Sequence, residues 1–230
     1  MTLGEALGIT PGLTSIIGGG GKSTLLLRLG RELAKTSRVL LCTSTHMRPP
    51  AGVPLAQTPE EAAALLRERP LAAYGVFCEA GKLGQGAPME RLLPLAAYVL
   101  CEADGSKGLP LKAHAAHEPN VSRETTRLVY VAGLDGIGLP IARAAHRPAL
   151  YAALLGKGQG HVLTPADVVR AILAEGYGEM GAALLLNKAE GERLAYGRQA
   201  AARWPGRAVV ASLEGPQGVL EVWEHGTKQE

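Results

Sequence analysis

The sequence is poor in aromatic residues. Of its 230 residues one is Phe and two are Trp, and Phe, Trp and Tyr together make up 4%. A surface that stacks bases is hard to build from so few rings. No segment is dominated by Lys and Arg, and the formal net charge is only +3. Nucleic acid is therefore not an expected partner. Cysteine is scarce too. Cys42, Cys78 and Cys101 are odd in number, form no CxxC pair, and each closes an apolar run. That pattern predicts three buried thiols near strand ends, and neither disulfides nor a metal site. No run is long and apolar enough to cross a bilayer. The opening MTLGEALGIT lacks a basic segment followed by an apolar one, so it does not read as a secretory signal. The expectation is a cytoplasmic protein with no membrane partner.

With 47% hydrophobic and 20% charged residues, the chain has the balance of a soluble globular protein. Its core must be made of Leu, Val, Ile and Ala. Its length suits one domain, here expected over 1–230. Short apolar runs predict strands at Leu13–Ile17, Arg38–Cys42, Ala73–Cys78, Leu95–Cys101, Leu128–Ala132, Ala182–Leu186 and Arg207–Ala211. Helical patterns cover Leu25–Ala34, Pro59–Arg69, Pro165–Glu175 and Glu190–Arg203, with Thr58 and Thr164 as N-caps and proline at the first helical position. Continuous apolar strands separated by helices predict an α/β fold, a mostly parallel sheet with helices on both faces. Two long segments interrupt the rhythm, Glu79–Pro94 and Glu102–Thr126. Loops of that length in a compact domain usually serve function. The final EHGTKQE is expected to be a solvated tail.

What the chain has in excess is glycine at one place. In IIGGGGKST the four glycines Gly18, Gly19, Gly20 and Gly21 precede Lys22, Ser23 and Thr24. Glycine loses the most backbone freedom on folding, so four in succession call for a reason. The run follows a predicted strand and opens a predicted helix, which is where a phosphate-binding loop sits. Its amides, together with the helix N-terminus, would cradle an anion. Lys22 would reach the outer phosphates and Ser23 would ligate Mg²⁺. The full pattern G-x-x-x-x-G-K-[ST] would need glycine at position 16, where this chain has Ile16.

Three further segments lie at predicted strand exits. AAYVLCEADG offers Glu102 and Asp104, either of which could hold the ion or orient a water; Asp104 is the expected metal residue. LLCTSTHMRPP offers Thr43 and Thr45 for phosphate or Mg²⁺, with His46 beside them, or a plain polar exit. LLLNKAE offers Asn187 and Lys188 in the manner of the N-K-x-D base-recognition element, with Glu190 in the acid position. His114, His117 and His146 suit hydrogen bonding, substrate contact or structure rather than zinc, because no third ligand has diagnostic spacing.

Taken together, IIGGGGKST, CTSTHMRPP, CEADGSKGLPLKAHAAHEP, VAGLDGIGLPI with AHRP, and LLLNKAE resemble the YqeC-like family, from about Ser15 to Glu190. ADGSKGLPLKAHAAHEP is the most specific part. The resemblance implies a P-loop NTPase-like three-layer sandwich that binds ATP or GTP with Mg²⁺. It further implies an accessory or maturation factor for selenium-dependent molybdenum hydroxylases, so that a molybdenum hydroxylase or a cofactor-maturation protein would be the partner. A nucleoside triphosphatase is the leading expectation. Lys22, Asp104 and Glu102 would then act at the phosphates, and the segment at 102–126 would respond to the terminal phosphate. The alternatives are a small-molecule kinase or nucleotidyl transferase of the same fold, with Lys107, Lys112, His114 and His117 seating an anionic acceptor, and a non-catalytic nucleotide-sensing docking module.

Overall fold

The structure is a computed structural model, and it describes residues 1–78, 81–215 and 218–229. The chain opens with α1 (Leu3–Leu7), β1 (Gly12–Gly18), α2 (Lys22–Leu33), β2 (Val39–Thr43), β3 (His46–Met47), β4 (Leu55–Ala56) and α3 (Pro59–Glu68). It continues through β5 (Leu71–Tyr74), β6 (Val76–Phe77), β7 (Leu83–Gly84), α4 (Met89–Leu92), β8 (Tyr98–Glu102), β9 (Leu111–Lys112) and β10 (Thr125–Gly133). Next come α5 (Ile141–Ala144), β11 (Ala145–His146), α6 (Pro148–Leu155), α7 (Pro165–Ala174), β12 (Ala183–Asn187) and α8 (Arg193–Ala201). The last elements are β13 (Arg207–Ser212), β14 (Gly218–Glu224) and β15 (Thr227–Lys228).

The main sheet has ten strands in the order β15-β14-β13-β12-β10-β1-β8-β2-β5-β4. From β4 to β13 every pairing is parallel; β14 and β15 are antiparallel. This is the expected α/β architecture with both faces covered. Strands β2 and β12 are buried along their whole length, as a parallel strand between two helical layers must be. Alternate residues sort to the two faces. Ile16, Leu41, Leu100 and Val131 pack against Leu3 and Leu7 of α1 and Leu25 and Leu29 of α2. On the other face Ile17, Tyr130, Leu184 and Val210 meet Tyr151, Val168 and Ala200 of α6, α7 and α8. Leu13, Leu40 and Val99 meet Ala62 and Leu66 of α3. Each large aliphatic side chain so buried contributes on the order of 1.5–3 kcal/mol. Two smaller sheets, β3-β7-β6 and β11-β9, lie outside the main one.

Thr58 and Thr164 cap their helices as expected. Each side chain accepts from the backbone three residues on, and Glu61 and Asp167 return the bond. Other expectations need correction. Ala73–Cys78 is not one strand: the chain breaks at Gly75, where an added Cβ would come within 2.9 Å of Leu83, and β5 and β6 enter different sheets. The segment 79–94 is not one long loop, since β7 and α4 lie within it; Glu79 and Ala80 fall outside the described residues. Cys42 and Cys101 are buried, but Cys78 is only half-buried, its thiol donating to the Lys82 carbonyl at 3.2 Å. The C-terminal residues from Thr227 to Gln229 are exposed, but they are not without structure. Thr227 and Lys228 pair with Glu224 and Trp223 across a two-residue turn, and both turn residues, His225 and Gly226, have positive φ, as such hairpins require.

Replacing Thr164 by Ala should cost about 1 kcal/mol of stability. In urea unfolding the midpoint should fall while the slope stays unchanged.

Candidate functional site

β1 is the central strand, flanked by β8 and β10, and its carboxyl end runs into the glycine loop. At position 16, where the full phosphate-loop pattern has glycine, Ile16 is still inside the strand and fully buried. Only Gly19, Gly20 and Gly21 separate β1 from α2, so the turn is tight. A Cβ on Gly20, whose φ is +75°, would lie 2.3 Å from the Gly133 nitrogen; one on Gly18, at φ +94°, would lie 2.2 Å from the Val131 carbonyl oxygen. These glycines are thus demanded by backbone packed against backbone. The amides of Gly18, Gly19 and Gly20 are used within the protein, donating to Asp104 Oδ2 (2.9 Å), Val131 (2.9 Å) and Leu109 (3.1 Å). The next four are different. Among the described residues the amides of Gly21, Lys22, Ser23 and Thr24 have no acceptor, and no side chain caps α2. They are the orphan donors of a helix start, opening toward solvent at its positive end.

Asp104 lies beneath this loop with no exposed surface. Besides the Gly18 amide, it meets Lys22 Nζ at 3.1 Å, Lys112 Nζ at 3.3 Å and His114 Nε2 at 2.7 Å. Burial disfavours its charge. The His114 hydrogen bond and the two lysines outweigh that and hold its pKa down at about 2. Lys112 is itself fully buried, and its three donors meet three acceptors: Asp104, the Gly105 carbonyl at 2.7 Å and Glu118 at 3.1 Å. His114 turns its other nitrogen to Glu175 at 3.1 Å, and its ring is edged by Tyr130 and Tyr177. Burial works against its charge as well, but the bonds to Asp104 and Glu175 prevail and its pKa is raised.

Glu102 ends β8 one strand away from the loop and accepts from the Ser23 hydroxyl at 2.9 Å. Burial pushes its pKa up, with Asp104 adding, against the pull of Lys22 and Ser23. Thr43 donates to the Glu102 carbonyl at 2.8 Å and so braces that strand end rather than facing solvent. Asn187 is buried and clamps two exits together: its amide donates to the Gly20 carbonyl at 2.8 Å, and its oxygen accepts from the Leu213 amide at 3.0 Å. Lys188 pairs with Asp135 at 2.6 Å. Glu190 is occupied by the Ser212 hydroxyl and does not line the cleft.

An open cleft of about 1030 Å³ runs along the carboxyl edge of the sheet. Of the residues singled out in the sequence, Gly20, Gly21, Lys22, Ser23, Thr24, Thr45, His46, Glu102, Lys107, His146 and Lys188 line it. Gly18, Gly19, Thr43, Asp104 and Asn187 form its support. Asp104, expected as the metal residue, is screened from the cleft by Lys22, and it is Glu102 that reaches Ser23. His117 is exposed and away from the cleft. Among the described residues no group of three or more His, Cys, Asp or Glu is placed to hold a metal. Sequence reading missed Glu175, Glu118, Asp135 and Arg147. Glu118, Asp135 and Arg147 had a signal, their places in ADGSKGLPLKAHAAHEP, VAGLDGIGLPI and AHRP, whereas Glu175 reaches the site from the end of α7 with no local motif to mark it.

Residues 14–149 match the family model described as YqeC protein. A curated protein of Escherichia coli (strain K12), described as uncharacterized protein YqeC, is 32% identical over 176 residues, which is 69% of this chain. The chain spans 66% of that relative's length. No solved structure matches the chain.

Asp104→Asn should destabilise the fold by about 3–5 kcal/mol in urea unfolding, because it leaves Lys22 and Lys112 buried without their shared anion. For His114 the folded pKa is raised, so its charge stabilises fully below the unfolded value and progressively less as pH rises through the folded one. The stability difference between wild type and His114→Gln should therefore be largest in mild acid and shrink in alkali.

Proposed function

The chain belongs to the YqeC family, and from that membership and the cleft we propose that it binds and hydrolyses a nucleoside triphosphate, ATP or GTP, with Mg²⁺. The observation that carries the reading is the row of four unpartnered amides from Gly21 to Thr24, set beside the Ser23–Glu102 pair. Phosphate oxygens are the acceptors such a helix start lacks. Lys22, whose ammonium donates to the Gly18 carbonyl at 2.7 Å, supplies a cation next to them.

The donors fit Mg²⁺. Ser23 and Glu102 offer hard oxygens, and this ion characteristically takes one or two protein ligands and completes its shell with water and substrate phosphate. That so few carboxylates meet here suits an ion that arrives with its nucleotide. When bound, the ion would neutralise charge on the outer phosphates. Glu102 is then the residue to orient the attacking water, whose oxygen bonds to the terminal phosphorus as the bond to the diphosphate breaks. Asp104 contributes from below, fixing the loop and the Lys22 ammonium without touching substrate. The base would lie on the side of β12 and β13, where Lys188 and the exposed Glu214 line the cleft. The same reading makes the protein an accessory in maturing selenium-dependent molybdenum hydroxylases, with hydrolysis driving a change in the segment 102–126 that a partner senses. That part comes from the family resemblance and not from the cleft.

Thermal unfolding with ATP, GTP and CTP, each with and without Mg²⁺, tests the proposal. A nucleotide that binds the native state raises the melting temperature by mass action. We expect a rise with ATP or GTP that Lys22→Ala abolishes, and whose Mg²⁺-dependent part Ser23→Ala and Glu102→Gln remove. No rise for the wild type with any nucleotide would refute nucleotide binding. Binding with the nucleotide recovered intact after long incubation would instead support a nucleotide-sensing module.

A further inference from the structure

The cleft is unequal on its two sides. Toward β12 and β13 it holds Lys188 and Glu214. Its remaining, far wall carries Arg48, Lys82, Lys107, His146 and Arg147, with Arg48 and Lys82 from the β3–β7 side and His146 and Arg147 from β11, which pairs with β9. These five come from four separate segments: the exits of β3 and β8, the end of β11 with the residue after it, and the approach to β7. Among the described residues the one carboxylate on that wall is Glu118, and it is already committed to Lys112 and Arg147, at 3.1 and 2.9 Å. Among the described residues, Arg48, Lys82 and Lys107 have no acidic partner and no side-chain hydrogen bond, and all three are exposed. Six Lys and Arg side chains line the cleft against three Glu. That surplus equals the formal charge of the whole chain, +3, so the rest of the protein is balanced and the excess is gathered here.

Gathering like charges on a concave wall is unfavourable until an anion arrives. Two details mark the wall as constructed rather than incidental. Lys107 and Arg147 both have left-handed backbones, with φ of 51° and 62°, a conformation that non-glycine residues seldom adopt and that concentrates at ligand sites. His146 is partly buried; that burial first, and then its neighbours Lys112, Arg147 and Lys107, lower its pKa against the opposing effect of Glu118. The volume, about 1030 Å³, is at the upper end of the ~300–1,000 Å³ usual for one small ligand.

We propose that this far wall is a second anion subsite, seating a small molecule that carries phosphate or carboxylate groups beside the nucleotide's terminal phosphate. The cleft is then a two-ligand site. The placement of the nucleotide rests on the function proposed above; the anion subsite itself rests on the wall's own residues.

The test uses the full chain loaded with Mg²⁺ and a fluorescent non-hydrolysable triphosphate analogue, titrated with inorganic pyrophosphate by calorimetry while fluorescence reports whether the analogue stays bound. Pyrophosphate should bind with the analogue in place. In the double variant Arg48→Ala/Lys107→Ala its affinity should fall by about ten-fold or more, with nucleotide affinity changed by less than roughly two-fold. Both residues are exposed and unpartnered, so the variant should keep its fold. Displacement of the analogue, absence of pyrophosphate binding, or a parallel loss of nucleotide affinity in the variant would overturn the subsite. If the wild type takes no nucleotide at all, the function proposed above fails on its own. Pyrophosphate titrated into the unloaded protein then decides: binding lost in the double variant but kept in Lys22→Ala upholds the wall, and the reverse overturns it.

Discussion

A single buried carboxylate organises this molecule. Asp104 receives the backbone of the glycine loop, the loop's own lysine, a second lysine from β9 and a histidine beyond it. An isolated charge with no exposed surface would be prohibitive, so each of these partners is needed to keep it ionised. The arrangement works in reverse as well. Two ammonium groups can be buried beside the loop only because the anion is there. The charges continue outward through Glu118 and Arg147 to the cleft wall, and through Glu175 to the end of α7. The glycine loop is therefore seated on a rigid electrostatic base, and its geometry is shared with elements far away in sequence.

That base explains which features of the site could be read from the sequence. The fold class could, because continuous apolar runs between helical patterns are a direct consequence of a two-sided parallel sheet. That Lys22, Ser23 and Glu102 would share one cleft could as well, because a lysine and serine after a glycine run and an acid at a strand exit are local patterns. Asn187 reads as a base contact in the sequence, whereas it lies buried as a clamp between the Gly20 carbonyl and the Leu213 amide. The choice between Glu102 and Asp104 was not legible. The two are separated by one residue, and which of them faces the cleft depends on where β8 ends and what lies below it. Asp104 is taken inward by Lys112 and His114, whose own positions depend on Tyr130 and Glu175. No window of sequence contains that information. The C-terminal hairpin escaped notice because its turn is His-Gly rather than Asn-Gly or Asp-Gly, the usual signals.

The glycine run takes on a different meaning once its neighbours are known. Read alone, four glycines suggest mobility. In place, they permit the loop to pass against Gly133, Pro110 and Leu109 at distances that no side chain would allow. Three amides are consumed in fixing that path, and the following four have no acceptor among the described residues. Under the function proposed above, a loop held in this way would have little ordering left to do when an anion arrives.

The main sheet ends in very short strands, β4 at one margin and β15 at the other, each of two residues. An exposed sheet margin is a template on which another chain can add a strand, and long flat margins invite edge-to-edge aggregation. Two residues offer too few free backbone groups for that. At these margins the ten-stranded sheet therefore presents outermost strands too short to template another, although β15 pairs with only Trp223 and Glu224 of the seven-residue β14.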